Sequence, residues 1–417
     1  MIREPALQTN SKARIVAAAQ RGSWPLVEYN PYAYETHEDP YPVYRELRER
    51  APLYRNESLG FWALSRHADV LAGFKDSARL SSSFGVSLDL SAYHEGADST
   101  MSFLAMDPPR HTRMRALVSR GFTPRRIAEL EGRIRALAQH YIERFRADGG
   151  CDFIADFAGR LPMDVVCEML GVPAADRDRL RGWADAVVHR EPGVTDVPPE
   201  GLQAAAKMLQ YFGELVADRE NHPTDDLTGA LLGAEIDGDR LDPREVLGFL
   251  FLMVVAGNET TTKLLGNAVY WLSRNPTERA RLDADPTLIP QWVEETLRYD
   301  SSTQALVRRV AYEFEIYGQK VREGDRLVLL VGSGNRDDRV FDDPDRFDLG
   351  RNTTAMLSFG QGTHFCLGAA LARLEARVAL EEVQKSLPDL EVDVAGSRRI
   401  HSVNVRGFAS LPIGFSQ

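Results

Sequence analysis

The stretch Phe359-Gly-Gln-Gly-Thr-His-Phe-Cys-Leu-Gly368 holds three glycines and a cysteine in ten residues. It runs directly into an apolar-periodic segment, Leu367 to Leu387, that reads as a helix stopped by Pro388. Glycine tolerates positive φ and lets the backbone come close to a flat ligand. Cys366 stands at or just before the first turn of the helix, where unpaired N–H groups and the helix dipole stabilise a thiolate. An isolated cysteine is ordinarily a small buried hydrophobe. Within this glycine frame it is a candidate ligand instead. A zinc site needs partner ligands nearby, and the other cysteines, Cys151 and Cys167, lie some 200 residues upstream without a CxxC pair. One thiolate bound to a large planar cofactor fits the pattern better.

The rest of the chain bounds the setting. Its 417 residues would by length alone suggest two or three domains. With 43% hydrophobic and 27% charged residues it has the composition of an ordinary globular protein, not of a disordered or fibrous one. Three cysteines are too few, and odd in number, for a disulfide framework, so a reducing, cytoplasmic setting is expected. The net charge of −11 argues against nucleic acid as the main partner. The N-terminal MIREPALQTN has no apolar core and is not a secretory signal. The longest apolar run, Val246 to Gly257, has 12 residues, where a membrane span needs about 20. No membrane anchor is expected, and the run reads as part of a buried helix.

Periodicity predicts a mainly α protein with a minor β part. Residues 1 to about 22 are expected to form a mobile tail, with a single domain over 23–417. Leu53 to Leu64 reads as a hairpin, and most of residues 110 to 290 as helix, including Ile127 to Phe145 and Leu202 to Val216. A long helix is expected from about Pro243 to Asn275, roughly 50 Å at ~1.5 Å per residue. Such a helix must cross the core. Val307 to Val331 is β-branched and aromatic with Gly318 and Gly324 as turns, hence strands. The last 30 residues read as short strands again.

FGQGTHFCLG resembles the haem-binding loop of the cytochromes P450, with Cys366 in the place of the axial thiolate, the ligand for which that family is the established example. Three further matches extend the resemblance over about residues 30 to 415. Glu295-Thr-Leu-Arg298 resembles the family's buried Glu–Arg pair, which joins an arginine from the loop before the cysteine and is structural. The segment from Asn335-Arg-Asp337 to Phe347-Asp-Leu-Gly-Arg351 resembles that loop. Ala256-Gly-Asn-Glu-Thr-Thr261 resembles the stretch of the central helix that crosses the distal haem face. There Gly257 would leave room for dioxygen, and Glu259 and Thr260 match the family's acid–alcohol pair for proton delivery. Asp107-Pro-Pro-Arg-His111-Thr-Arg-Met-Arg115 resembles a propionate-binding segment, which implies His111 and Arg115 as haem contacts. His364 and either Arg308 or Arg309 would complete that shell; counting back from Gly318 without a gap favours Arg308. Phe359, Gly360, Gly362 and Gly368 are the remaining cofactor contacts that the motif implies.

The resemblance implies a cytochrome P450 fold, haem b as cofactor, and insertion of one oxygen atom from O2 into a C–H or C=C bond. The haem carries that chemistry and the protein orients and tunes it. The intact Glu259-Thr260 pair argues against a peroxide-driven variant. Electrons are expected from a separate ferredoxin-type donor, because the sequence shows no cysteine cluster or reductase-like region. Arg110, Arg113, Arg115, Arg120, Arg125 and Arg126, with no acid between Arg110 and Arg126, are a candidate docking patch for it. Leu80 to Met106, with Phe84, Val86, Leu88, Leu90, Tyr93 and Phe103, is expected to lid the pocket. Met253, Val254, Ala256, Ala305, Leu306 and Val403 are candidate lining. An apolar lining suits a lipophilic substrate such as a steroid, terpenoid, fatty acid or polyketide.

Overall fold

The computed structural model describes residues 27–190, 194–236 and 238–416. The expected N-terminal tail lies outside the described residues.

The organising element is the 31-residue helix Pro243–Ser273. Its start is fixed by a capping box. The Asp242 carboxylate accepts from the N–H groups of Arg244 and Glu245, and the Glu245 side chain accepts from the Asp242 N–H, while Pro243 fills the first position. The N-terminal half buries Val246, Phe249, Leu250 and Val254 in one apolar cluster. The C-terminal half buries Leu264, Leu265, Ala268 and Leu272 in another. The two clusters are therefore joined through one helix, and the length-based expectation of several domains gives way to one body.

Between the halves lies the polar stretch Asn258 to Lys263, buried except at Thr260 yet still helical. Its side chains are satisfied locally. The Thr260 hydroxyl donates to the Ala256 carbonyl (2.9 Å), Thr262 to the Ala158 carbonyl (3.1 Å), and Lys263 Nζ lies 3.1 Å from Glu259 Oε2.

The expected hairpin is present as Leu53–Asn56 and Phe61–Leu64. It is the edge of a five-stranded sheet that continues with Arg326–Leu330, Ala305–Val310 and Leu80–Ser81. Phe61–Leu64 and Arg326–Leu330 pair in parallel; the other neighbours are antiparallel. Short strands close the chain, as expected. The helix after the cysteine spans Ala369–Ser386, starting two residues later than its apolar periodicity suggests because Gly368 is its N-cap. The helix expected over Ile127 to Phe145 is two, Pro124–Glu129 and Glu131–Phe145.

Candidate active site

A cavity of about 240 Å³ lies where the central helix, the Ala305–Val310 strand and the cysteine loop converge. Its lining includes Ala256, Gly257, Thr260 and Thr261 from the helix, Leu306 and Arg308 from the strand, and Phe359, Gly360, His364, Cys366 and Gly368 from the loop. Cys366 has accessible surface, but that surface faces this cavity. Burial pushes its thiol above the usual range. Against that act the N–H of Gly368, the charges of Arg115 and Arg373, and the N–H of Ala369. Gly368 and Ala369 stand at the helix start, but burial outweighs their effect, and the Ala369 N–H also donates to the Cys366 carbonyl at 3.4 Å.

The glycines of the loop divide their work. Gly360 (φ +66°) and Gly368 line the cavity, and a Cβ on Gly368 would meet nothing within 4 Å. Gly362 does not line it. Its φ is +72°, and a Cβ there would come within 2.8 Å of the Phe74 carbonyl oxygen. Its conformation lets the loop press onto the His67–Lys75 helix.

At one end of the cavity nitrogen donors gather; the Asp107 carboxylate acts on Arg308 and His111, but its oxygens accept from Ser81 and Ser82 and it forms no ion pair with Arg308 or His111. Arg308 is 2% exposed, and its one hydrogen bond is from Nη1 to the carbonyl of its neighbour Val307. The rings of His111 and His364 are 4.2 Å apart, and none of their four nitrogens has a hydrogen-bond partner of normal geometry. Arg115 Nη2 donates to the Phe365 carbonyl at 2.6 Å, while its buried Nη1 has no partner. His364 is driven down to about 3 by burial, with Arg308, His111 and Arg115 adding to the effect. Burial likewise lowers His111, with Arg115 adding to it. Orphaned donors and cations cost free energy unless an anion joins them. His111 and Arg115 stand behind the lining, adjoining His364. Two carboxylates would satisfy this end, the Cys366 sulfur is part of the lining, and the remaining wall is mostly apolar. The residues present therefore fit haem.

On the central helix, Thr260 lines the cavity and Glu259 points elsewhere. Glu259 is buried against Lys263 and adjoins Asp185 of the Ala174–Val188 helix. Burial first, and the Glu259 carboxylate second, raise Asp185 to about 7. Lys263 was findable as the i+4 partner of Glu259; nothing in the surrounding sequence marks Asp185. Gly257 also lines the cavity, but a Cβ on it would press to 3.3 Å against Val166.

The site rests on a rigid brace. Arg298 is fully buried and donates to both oxygens of Glu295 at 2.7 Å. It also donates to the carbonyls of Asn335, Pro344 and Arg346. Arg351 reaches Glu295 Oε1 at 3.2 Å and is the loop arginine that the resemblance implied.

Several expected lining residues lie elsewhere. Met253, Ala256 and Leu306 line the cavity. Val254 is turned into the core, Ala305 packs on the opposite face of its strand, and Val403 lines a small separate cleft. Of the expected lid, Phe103 and its neighbour Leu104 reach the cavity. Phe84 packs on Tyr93 (5.7 Å) and Leu90 is exposed. The arginine cluster is largely neutralised. Arg113 bridges Asp239 and Glu245, Arg110 pairs with Asp98, Arg125 with Glu129, and Arg120 donates to the Glu235 carbonyl. Cys151 and Cys167 are packing residues whose thiols burial pushes up to about 12.

Comparison with known proteins accounts for this arrangement. The cytochrome P450 family model matches residues 203–387. A putative cytochrome P450 123 of Mycobacterium tuberculosis is 56% identical over 390 residues, covering 93% of this chain and 97% of its own length. The polyketide biosynthesis cytochrome P450 PksS of Bacillus subtilis is 34% identical, and its solved structure superposes with a TM-score of 0.85 over 94% of this chain and 100% of that one. CYP109E1 of Bacillus megaterium, solved with testosterone, gives 30% identity and a TM-score of 0.86, covering 92% of this chain and 100% of that one. Among the described residues no helix is long and apolar enough to cross a membrane. A cysteine loop on the cavity, an anion-seeking end and a core-crossing helix, together with relatives matched along nearly their whole length, lead to one conclusion: the chain belongs to the cytochrome P450 family, haem-dependent monooxygenases that act with O2.

Proposed function

We propose that the chain hydroxylates or epoxidises a lipophilic small molecule of steroid, terpenoid, fatty-acid or polyketide-like character, with electrons from a separate ferredoxin-type donor in the cytoplasm. The observation that carries this reading is the apolar part of the cavity wall. Phe103, Leu104, Phe249, Leu252, Met253 and Leu306 present an apolar surface next to Thr260, and such a surface binds by burying hydrocarbon. Relatives support the substrate class. One, 37% identical, is named vitamin D(3) 25-hydroxylase, and others are named for polyketide biosynthesis or were solved with testosterone.

Cys366 would ligate the haem iron in this reading. His111, Arg115, Arg308 and His364 would hold the cofactor's carboxylates, and Phe359, Gly360 and Gly368 would frame it. The haem, when bound, supplies dioxygen activation and oxygen-atom insertion. The chain supplies orientation, water exclusion and protons. Asp185, whose proton affinity burial and the Glu259 carboxylate raise, holds a proton beside the Glu259–Lys263 pair, one residue from the Thr260 hydroxyl at the cavity wall. Thr260, tied to the Ala256 carbonyl, delivers it.

The test is a library of lipophilic compounds screened for a low- to high-spin Soret shift, followed by turnover with NAD(P)H and surrogate redox partners. Oxygenated product from a shifting compound is expected. Shifts confined to small polar compounds would contradict the substrate class.

A further inference from the structure

The central helix carries a cation inside the protein. Lys263 is 4% exposed, and its Nζ stands 3.1 Å from Glu259 Oε2, one helical turn back. Among the described residues Glu259 is its one ion-pair partner. The ammonium also donates to the Phe408 carbonyl at 3.3 Å. The residue before Phe408 presses on the lysine stem: a Cβ on Gly407 would come within 2.5 Å of Lys263 Cβ and 2.8 Å of Cγ and Cδ. One turn further along the helix, Asn267 Nδ2 donates to the Arg406 carbonyl at 3.2 Å. Residues 406–408 therefore lie along the helix face that carries Lys263 and Asn267, and a glycine at 407 is what leaves room for the lysine. From the Ala174–Val188 helix the pair meets Asp185, on which Glu259, Lys263 and Arg181 all act. A group that relays protons has to exist in both its protonated and its ionised form. In an interior position the ionised carboxyl needs a cation beside it, and without one the proton stays.

We propose that Lys263 is a positioning residue for proton delivery: the 406–408 segment holds its ammonium against Glu259, which lets that carboxyl give up a proton inside the protein. The assignment rests on the proposed function in one respect, that Glu259 takes part in the delivery. It gives the 406–408 segment a part in a step at a cavity that the segment does not line.

Infrared spectroscopy of the haem-loaded protein at about pH 7, well above the usual carboxylate range, reads the carboxyl directly in H2O and D2O. Lys263→Met is expected to gain, relative to wild type, a deuterium-sensitive carbonyl stretch of a protonated carboxylic acid. The gained band should survive a second substitution, Asp185→Asn, and vanish with Glu259→Gln. Gly407→Ala leaves every ionisable group in place and displaces the lysine. It should gain the same band, and it carries the test if Lys263→Met does not fold. NADPH consumption with a surrogate ferredoxin and reductase, measured without added substrate, reads the consequence. It should fall about tenfold in Lys263→Met, because a neighbouring opposite charge is worth about tenfold or more in the ionised fraction of a carboxyl. It should fall no further when Lys263→Met is added to Glu259→Gln. A gained band missing from both variants, or the same tenfold loss in the Glu259→Gln background, would overturn the proposal. Unchanged consumption in Glu259→Gln alone would instead overturn the proton-delivery reading, and the infrared band would still decide whether Lys263 holds that carboxyl ionised.

Discussion

Arg308 and Arg309 are neighbours on one strand and face opposite ways. Arg308 is buried on the cavity side with Leu306. Arg309 is half-buried over the Phe84 ring at 4.9 Å, paired in register with Ser81 and Arg326. Strand alternation thus decides which of the two can meet a cofactor carboxylate.

Arg308→Leu should therefore weaken haem retention and Arg309→Leu should not. Losing one charge-assisted hydrogen bond costs about 1.5–3 kcal/mol, or roughly ten- to a hundredfold in haem release. Transfer of haem to an apo-globin acceptor measures it. Equal effects of the two substitutions would contradict the strand register.

The Glu295–Arg298 pair should behave as a brace for the fold. Arg298→Lys keeps the charge but cannot serve two carboxylate oxygens and three carbonyls at once. Breaking a buried pair costs about 3–5 kcal/mol, read by urea denaturation. The exposed Arg125, replaced by Lys, should change stability by no more than about 0.5 kcal/mol.

Asp300 predicts an acid limit to stability. Burial alone would raise its pKa. Arg406 and Arg399 more than reverse that, helped by Trp271 and Tyr41, and hold the carboxyl well below its usual range. Because the folded-state pKa lies below the unfolded one, about 3.9, the stabilisation is complete above that value. It is lost as pH falls below it toward the folded-state pKa. Asp300→Asn should be several kcal/mol less stable near neutrality, with the gap to wild type narrowing only below about pH 4. Denaturation curves across that range check the sign.

Thr260→Ala should leave substrate binding intact and lower the product formed per reductant consumed, with peroxide released in its place. Glu259→Gln should slow turnover instead, by about a hundredfold, the contribution typical of a positioned proton donor. Product, reductant and peroxide measured in one assay separate the two. Unchanged coupling in Thr260→Ala would remove that hydroxyl from the mechanism.

The sequence was most informative where chemistry requires fixed spacing. Cys366 in its glycine frame, Glu295 three residues before Arg298, and the polar interruption of the central helix are all local patterns, and the structure brings them together. The partners of Arg113, Asp239 and Glu245, lie more than a hundred residues away in sequence, so its ion pairs were not legible there. Gly362 answers to the Phe74 backbone, which only the folded chain brings near. The alternating faces of Ala305 and Leu306 depend on sheet register, and the break at Leu130 interrupts an apolar period that otherwise runs through.

The central claim is that Cys366 is the ligand of a haem held in this cavity. The most direct measurement is the carbonmonoxy spectrum of the dithionite-reduced protein, compared between wild type and Cys366→His. The account predicts the red-shifted Soret band of a thiolate-ligated haem in wild type and its loss in the variant, with haem still bound. Retention of that band in Cys366→His would show that another residue is the ligand.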